Sequence, residues 1–127
     1  MIKALKVTLL VAAIVAFFWG ILMLIAPGFA GSLANFPEFS KEAKYFVGLL
    51  GAVYVALGVG FVLASRDPVK NIAWVQAGIV SYALSLVISI YYLATGSLLW
   101  RQAIVGLVIQ IGFLTALSVL YPRKQPG

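Results

Sequence analysis

The chain has 127 residues, of which 64% are hydrophobic and only 9% are charged, and its mean hydropathy is +1.11. A soluble domain carries about 25% charged residues, so this chain lacks the polar surface that a water-exposed fold requires. Cysteine and histidine are both absent, which excludes disulfides, thiol redox chemistry and imidazole-based acid, base or metal chemistry.

Four apolar runs predict four transmembrane helices, at about residues 7–26, 46–64, 72–94 and 104–120. The first three contain no charged residue, and each has about the 20 residues that a helix needs to cross the hydrocarbon. The fourth is closer to the lower limit of about 17 residues, and it could begin as early as Ser97. Because backbone polar groups in lipid must be paired within the segment, we predict an all-α integral membrane fold. The expected architecture is a four-helix bundle that forms a single membrane domain over residues 1–127.

Lys3 and Lys6 precede the first apolar run, an arrangement that secretory signals share. The run over residues 7–26 is longer than the apolar core of such a signal, which is about 7–15 residues. We therefore expect it to be a membrane helix.

The connections between the runs are unequal in length. The outer loop, residues 27–45, contains Asn35-Phe36-Pro37-Glu38, a pattern typical of a helix start with Asn as the cap. We expect this loop to be a linker at the headgroup boundary; the alternative is a lid over a ligand or partner. Arg66-Asp67-Pro68 predicts a tight turn after the second run, and Thr95-Gly96-Ser97 opens another after the third.

The distribution of lysine and arginine predicts that both termini are cytoplasmic. Six of these residues lie in the N-terminus, the second connection and the C-terminus: Lys3, Lys6, Arg66, Lys70, Arg123 and Lys124. The other side carries three: Lys41, Lys44 and Arg101. The net charge of +6 is therefore attributed to the membrane topology and to contact with anionic lipid headgroups. The sequence has no basic patch with interleaved aromatic residues that would suggest a nucleic-acid partner.

Small residues recur at every fourth position and predict where the helices pack, since helices in lipid associate through close backbone approach. The second run has Gly48, Ala52, Ala56, Gly60 and Ala64; the third has Ala73, Ala77, Ser81, Ser85 and Ser89; the first has Ala12, Ala16 and Gly20. We expect the second and third helices to be the closest pair. Such tight packing leaves little room for a wide aqueous pore, which disfavours a monomeric channel.

The apolar runs contain no ionisable acid or base of the kind that marks proton or ion pathways, because Glu38, Glu42 and Asp67 all lie in connections. Four-helix exporters of the small multidrug resistance type depend on a membrane-embedded glutamate in the first helix, and in that region this chain has only apolar residues, Phe17, Phe18 and Trp19 among them. No serine accompanies a histidine or lysine for nucleophilic catalysis. We therefore predict a protein that is not an enzyme, with no catalytic residues and no metal site.

Each run carries one hydrogen-bonding side chain near its middle: Trp19, Tyr54, Tyr82 and Gln110. Each lies three, four or seven positions from small residues and therefore shares a helix face with them. One interpretation is interhelical hydrogen bonding, worth about 0.6 kcal/mol on average. The other is a midplane pocket for the head of a lipid, quinone or pigment. No other cofactor is predicted.

The overall plan resembles the DoxX-like group of small four-helix bacterial membrane proteins. The similar features are the basic start, Trp19-Gly20 and Ala26-Pro27-Gly28-Phe29, the glycine-rich segments 48–52 and 58–60, the Arg66-Asp67-Pro68 turn and the basic tail. The resemblance implies a location in the bacterial inner (cytoplasmic) membrane and an accessory role in a larger membrane complex, sometimes redox-linked. It carries over no functional residue.

Three functions follow as expectations. The first is a non-catalytic accessory or structural subunit of a larger bacterial membrane complex, whose partners are membrane lipids and other membrane protein subunits. The second is a small membrane protein that binds a lipid, quinone or pigment at the midplane polar layer. The third is an oligomeric transporter or channel, which the lack of intramembrane charge disfavours.

Overall fold

The computed structural model describes residues 2–122, and this part of the chain contains helices and connections but no strands. Five helices follow one another: α1 (Ile2–Ile25), α2 (Pro27–Leu33), α3 (Lys41–Arg66), α4 (Ile72–Ala94) and α5 (Trp100–Val119). All but α2 are long and apolar enough to cross a membrane. The prediction of an all-α, multi-pass membrane protein with four spanning helices is confirmed. Arg123 and Lys124 of the predicted basic tail lie outside the described residues.

Three of the spanning helices extend beyond the predicted apolar runs, whereas α4 has the predicted bounds. The N-terminal turns of α1 include Lys3 and Lys6, and α3 runs from Lys41 to Arg66. The helices are longer because hydropathy identifies only the segment that is apolar enough to lie in the hydrocarbon, and the helix itself can continue beyond that segment. Long basic side chains at helix ends can reach the interface while their backbone stays helical.

The predicted helix start at Asn35 is wrong, because Asn35 ends a helix instead. It adopts a positive φ of 65°, and the amide of Phe36 donates to the Gly31 carbonyl while the amide of Asn35 donates to that of Ser32. This is the hydrogen-bond pattern of a Schellman C-terminus, in which asparagine is a common left-handed residue. The start of α3 is instead capped by Ser40, whose Oγ accepts from an amide three residues on.

The two short connections are closed by local hydrogen bonds. In the turn after α3, Oδ1 of Asp67 accepts from the amide of Lys70, and Nδ2 of Asn71 donates to the Leu63 carbonyl. At the end of α4, Gly96 adopts a φ of 78°, which a side chain would disfavour. Both turns return the chain antiparallel to the preceding helix.

The four spanning helices pack in a ring in the order α1, α3, α4 and α5, with α5 returning to α1. The most extensive interface joins α1 and α3. At its centre Gly20 and Gly51 face each other so closely that a Cβ on Gly51 would lie 2.7 Å from the carbonyl oxygen of Gly20. This contact lets two helix backbones approach directly, as small residues permit in lipid.

The prediction that the second and third spanning helices form the closest pair is wrong. Helices α3 and α4 contact each other near the turn that joins them, where Trp74 lies over Gly60 and Phe61 lies against Gly78. A short turn holds two helices together only at that end. Further along, their facing side chains line a cavity instead.

Only some of the small residues that were predicted to form helix-packing seams are buried. Ala12, Ala16 and Gly20 of α1 are buried as predicted. In α3 only the last two members of the stripe, Gly60 and Ala64, are buried. Ala52 and Ala56 of α3 and Ala73 and Ala77 of α4 face outward. The buried face of α4 is formed instead by Val75, Gly78 and Tyr82.

The bundle has two unlike ends. The closed end contains the start of α1, the α3–α4 turn and the end of α5. Its buried core consists of Leu5, Leu9, Ala12, Ala13, Leu57, Phe61, Ala64, Val75 and Leu117, together with Tyr82. The opposite end, called the α2 end because α2 and its connection to α3 lie there, encloses a cavity.

Candidate functional site: a cavity within the bundle

A cavity of about 370 Å³ lies between the helices at the α2 end and is partly open to its surroundings. All five helices contribute to its lining, as does the connection between α2 and α3. Its volume falls at the lower end of the range of about 300–1,000 Å³ that is typical of ligand pockets. The bundle is thus packed at one end and hollow at the other.

The four residues predicted as a midplane polar layer all line this cavity. Trp19 comes from α1, Tyr54 from α3, Tyr82 from α4 and Gln110 from α5. At least one hydrogen-bonding side chain from each spanning helix therefore lines the same space. Gln76, a further polar residue of α4, lies elsewhere: its Nε2 donates to the hydroxyl of Tyr121 over 2.8 Å.

The floor of the cavity is an aromatic layer centred on Tyr82. The ring of Tyr82 stacks between Phe61 and Phe113, with centroid distances of 6.3 and 5.6 Å. Phe61 is fully buried and belongs to the core of the closed end. Stacked rings of this kind hold a side chain in one orientation, so the layer fixes the position of the Tyr82 ring.

Ser81, Ser85 and Ser89 of α4 line one wall of the cavity. The sequence predicted these three as part of a helix-packing seam, and the structure shows them facing open space instead. Ser89 donates to Oε1 of Gln110 over 3.2 Å. This hydrogen bond joins α4 to α5 and orients the Gln110 amide, so that its NH₂ group stays available.

The hydroxyls of Tyr54 and Tyr82 have no protein partner in the part of the chain that the structure describes. Within residues 2–122, no hydrogen bond joins either hydroxyl to another group of the chain. In the same part of the chain, every fully buried side-chain nitrogen or oxygen has a hydrogen-bond partner. The two hydroxyls are therefore accessible, and each can donate a hydrogen bond to a molecule in the cavity.

The lining carries no charge. Among the residues that the structure describes, no aspartate, glutamate, lysine or arginine contributes to the cavity. The polar groups are hydroxyls, amides and an indole, set among aliphatic and aromatic side chains. Such a lining suits a mostly apolar molecule that is held at a few points by hydrogen bonds.

The α2 segment and its connection cover the outer part of the cavity. Phe36 and Phe39 line it, and Phe39 lies so close to Gly31 of α2 that any side chain at Gly31 would displace the Phe39 ring. The sequence predicted an interfacial linker here, with a lid as the alternative. The structure places this segment over the cavity.

Two hydrogen bonds join the covering segment to the start of α5. Nδ2 of Asn35 donates to the carbonyl of Arg101 over 3.0 Å, and Nε2 of Gln102 donates to the Asn35 carbonyl over 3.4 Å. The Oε1 atom of Gln102 also accepts from the amide of Leu99. Sequence reasoning missed Gln102 as a cavity residue, although its position near a helix start was a usable signal.

Comparison with protein families, curated proteins and solved structures finds no match for this chain. Within residues 2–122, no group of histidine, cysteine, aspartate and glutamate residues could hold a metal ion. The cavity and its hydrogen-bonding groups are thus the features from which a function is inferred.

Proposed function

We propose that this protein binds a membrane-soluble amphiphile, such as a lipid, quinone or pigment, with its polar head in the cavity. The observation that carries the proposal is the convergence of Trp19, Tyr54, Tyr82 and Gln110, one from each spanning helix, on a single cavity. The apolar lining suits the body of the molecule, and the hydroxyl and amide groups suit its head. A cavity that is partly open to its surroundings suits a molecule whose tail extends out of it into the bilayer.

Interhelical hydrogen bonding, the other interpretation of these residues, explains them less well. Polar side chains that act only in packing are expected to pair with one another across helices. Gln110 does so with Ser89, whereas the hydroxyls of Tyr54 and Tyr82 have no such partner within residues 2–122. A hollow space between helices also forfeits dispersion contacts, and a bound molecule would restore them.

An accessory role in a larger membrane complex is a second candidate function. Ala52 and Ala56 face outward from α3, and in the described part of the chain a Cβ on Gly48 would lie within 4 Å of no atom of another helix. Small residues on an outer helix face allow a further helix to approach closely. An amphiphile-binding subunit of a larger assembly would combine both candidates.

We also propose a bacterial inner membrane as the location, with both termini in the cytoplasm. The support is the excess of lysine and arginine on one side of the predicted topology, together with the DoxX-like plan of the sequence. In this orientation the α2 end faces away from the cytoplasm. An oligomeric transporter or channel remains a weaker candidate, because the closed end is filled by side chains.

The proposal predicts that the protein purified in gentle detergent carries an amphiphile at a fixed ratio. The measurement is native mass analysis of the complex, followed by extraction and identification of the bound molecule. The double variant Tyr82→Phe with Gln110→Leu should lose most of it, since both substitutions remove donors while preserving much of the shape.

Tyr45→Phe with Tyr91→Phe is the matched control, because both tyrosines are more than 60% exposed and lie outside the lining. If the cavity variant retains every co-purified molecule, the proposed function is wrong. A stoichiometric protein partner in the same preparation would support the accessory role, and a lone chain without one would contradict it.

A further inference from the structure

Building on the proposed function, we infer that the cavity selects an uncharged head whose carbonyl oxygens accept hydrogen bonds. Ketone, quinone and ester groups belong to this class, whereas carboxylates, phosphates and ammonium groups do not. The inference rests on three features of the described residues: the lining has no charged side chain, its polar groups can donate hydrogen bonds, and the ring of Tyr82 is held in place.

The lining disfavours charged heads. Transferring an ion from water into an apolar site is strongly unfavourable unless an opposite charge compensates it. No charged side chain lines the cavity in the part of the chain that the structure describes. Lys44 approaches the α2 end, where its Cε lies 3.8 Å from a Cβ placed on Gly28, but it does not contribute to the lining.

The available polar groups can all donate hydrogen bonds, and the hydroxyls among them can also accept. The Trp19 indole can only donate, and the hydroxyls of Tyr54 and Tyr82 each hold a proton that no group of the described chain accepts. The Oε1 atom of Gln110 already accepts from Ser89, which leaves the Gln110 NH₂ group to donate. Nε2 of this group lies beside Gly106, another lining residue, at 3.6 Å from a Cβ placed there. A head with acceptor oxygens complements this set.

The Tyr82 hydroxyl is the best-positioned of these donors. Its ring is held between Phe61 and Phe113 in the floor of the cavity, and the residue is only 7% exposed. A donor that is already held in place loses little conformational entropy when a ligand binds. We therefore expect a carbonyl oxygen of the head to accept from Tyr82.

The test compares probes that share a decyl tail and differ in their heads. They are a fully substituted benzoquinone, decanoate, decyltrimethylammonium and plain decane. Each is titrated into the purified full chain in zwitterionic nanodiscs, and occupancy is followed by native mass analysis and by the rise in unfolding temperature that a bound ligand causes. We expect the benzoquinone to bind saturably and about tenfold or more tightly than any of the other three.

Donor variants identify where the head binds. Tyr82→Phe should weaken binding of the benzoquinone about fivefold, as expected for one lost hydrogen bond, and should leave decane unaffected. Tyr91→Phe, which changes an exposed tyrosine outside the lining, is the matched control and should change neither.

The outcomes separate this inference from the proposed function. If decanoate or decyltrimethylammonium binds as tightly as the benzoquinone, the head class is wrong while amphiphile binding stands. Equal binding of decane and the benzoquinone would also overturn the inference, because the donors would then contribute nothing. If no probe binds saturably and no amphiphile co-purifies, both the inference and the proposed function fail.

Discussion

Gly51→Val is expected to lower the free energy of unfolding by about 1–3 kcal/mol, the usual cost of overpacking a tight interface. A Cβ on Gly51 would lie 2.7 Å from the carbonyl oxygen of Gly20, 2.9 Å from Cβ of Met23 and 3.0 Å from the amide nitrogen of Leu24. Two of these three atoms belong to the backbone of α1. No rotamer change can relieve such a contact, so the two helices must separate.

Gly112→Val is the matched control for this effect, because within residues 2–122 a Cβ on Gly112 would lie within 4 Å of no atom of another helix. Both variants add the same side chain to a spanning helix, and only one adds it to a helix interface. Reversible unfolding in detergent, followed by circular dichroism, gives the two free energies. Equal values for the two variants would contradict the α1–α3 contact described above.

Ser85→Phe is expected to reduce amphiphile binding at least tenfold while leaving the bundle as stable as before or more so. Ser85 lines the cavity from α4, and a phenyl ring at this position would occupy space that the ligand needs. Filling a hollow adds contacts and commonly stabilises a protein. The variant thus separates loss of the site from loss of the fold, which most substitutions near a cavity cannot do.

Val87→Phe provides the comparison on the same helix. Val87 is 63% exposed, so a larger apolar side chain there projects outward from the bundle. We expect this variant to bind the co-purified amphiphile as the unmodified protein does. The measurement is the ratio of extracted amphiphile to protein, read together with the unfolding temperature. Retained binding by Ser85→Phe would show that the ligand occupies another surface.

The spanning helices and the four cavity residues could be predicted from the sequence because both depend on local patterns. The length and apolarity of a run decide whether it can cross hydrocarbon, and this rule correctly identified α1, α3, α4 and α5. Trp19, Tyr54, Tyr82 and Gln110 were predicted to be polar groups at mid-depth that share faces with small residues. All four line one cavity, and their role as a binding layer stays a prediction.

The helix pairing could not be predicted in the same way, because small residues occur on more than one face of each helix. In α3, the stripe at every fourth position points largely outward, whereas Gly51 and Gly58 meet α1. Which set is buried depends on the shapes of the facing helices, and a single helix pattern does not contain that information. Ser81, Ser85 and Ser89 of α4 were predicted to lie in a helix-packing seam, but they line the cavity. Small polar residues suit both positions, so the sequence pattern alone does not distinguish them.

The position of the covering segment depends on a contact between distant residues, which local sequence patterns do not predict. Asn35 is a residue type that commonly begins a helix, but here its left-handed backbone ends α2. Its side chain donates to the carbonyl of Arg101, 66 positions away in the sequence. Such a contact exists only once α5 is packed beside the connection. The covering segment could therefore be recognised only from the assembled bundle.

Thiol labelling of single-cysteine variants tests most directly whether the bundle contains an accessible cavity. The chain has no cysteine of its own, so Ser85→Cys and Val87→Cys each introduce one thiol at nearly the same depth of α4. Thiols react as thiolates, which form in contact with water and not in hydrocarbon. After the co-purified amphiphile has been extracted, we expect a small water-soluble reagent to label Ser85→Cys in a reconstituted bilayer and to leave Val87→Cys unmodified. Equal labelling of the two positions, or labelling of Val87→Cys alone, would contradict the cavity and the function proposed from it.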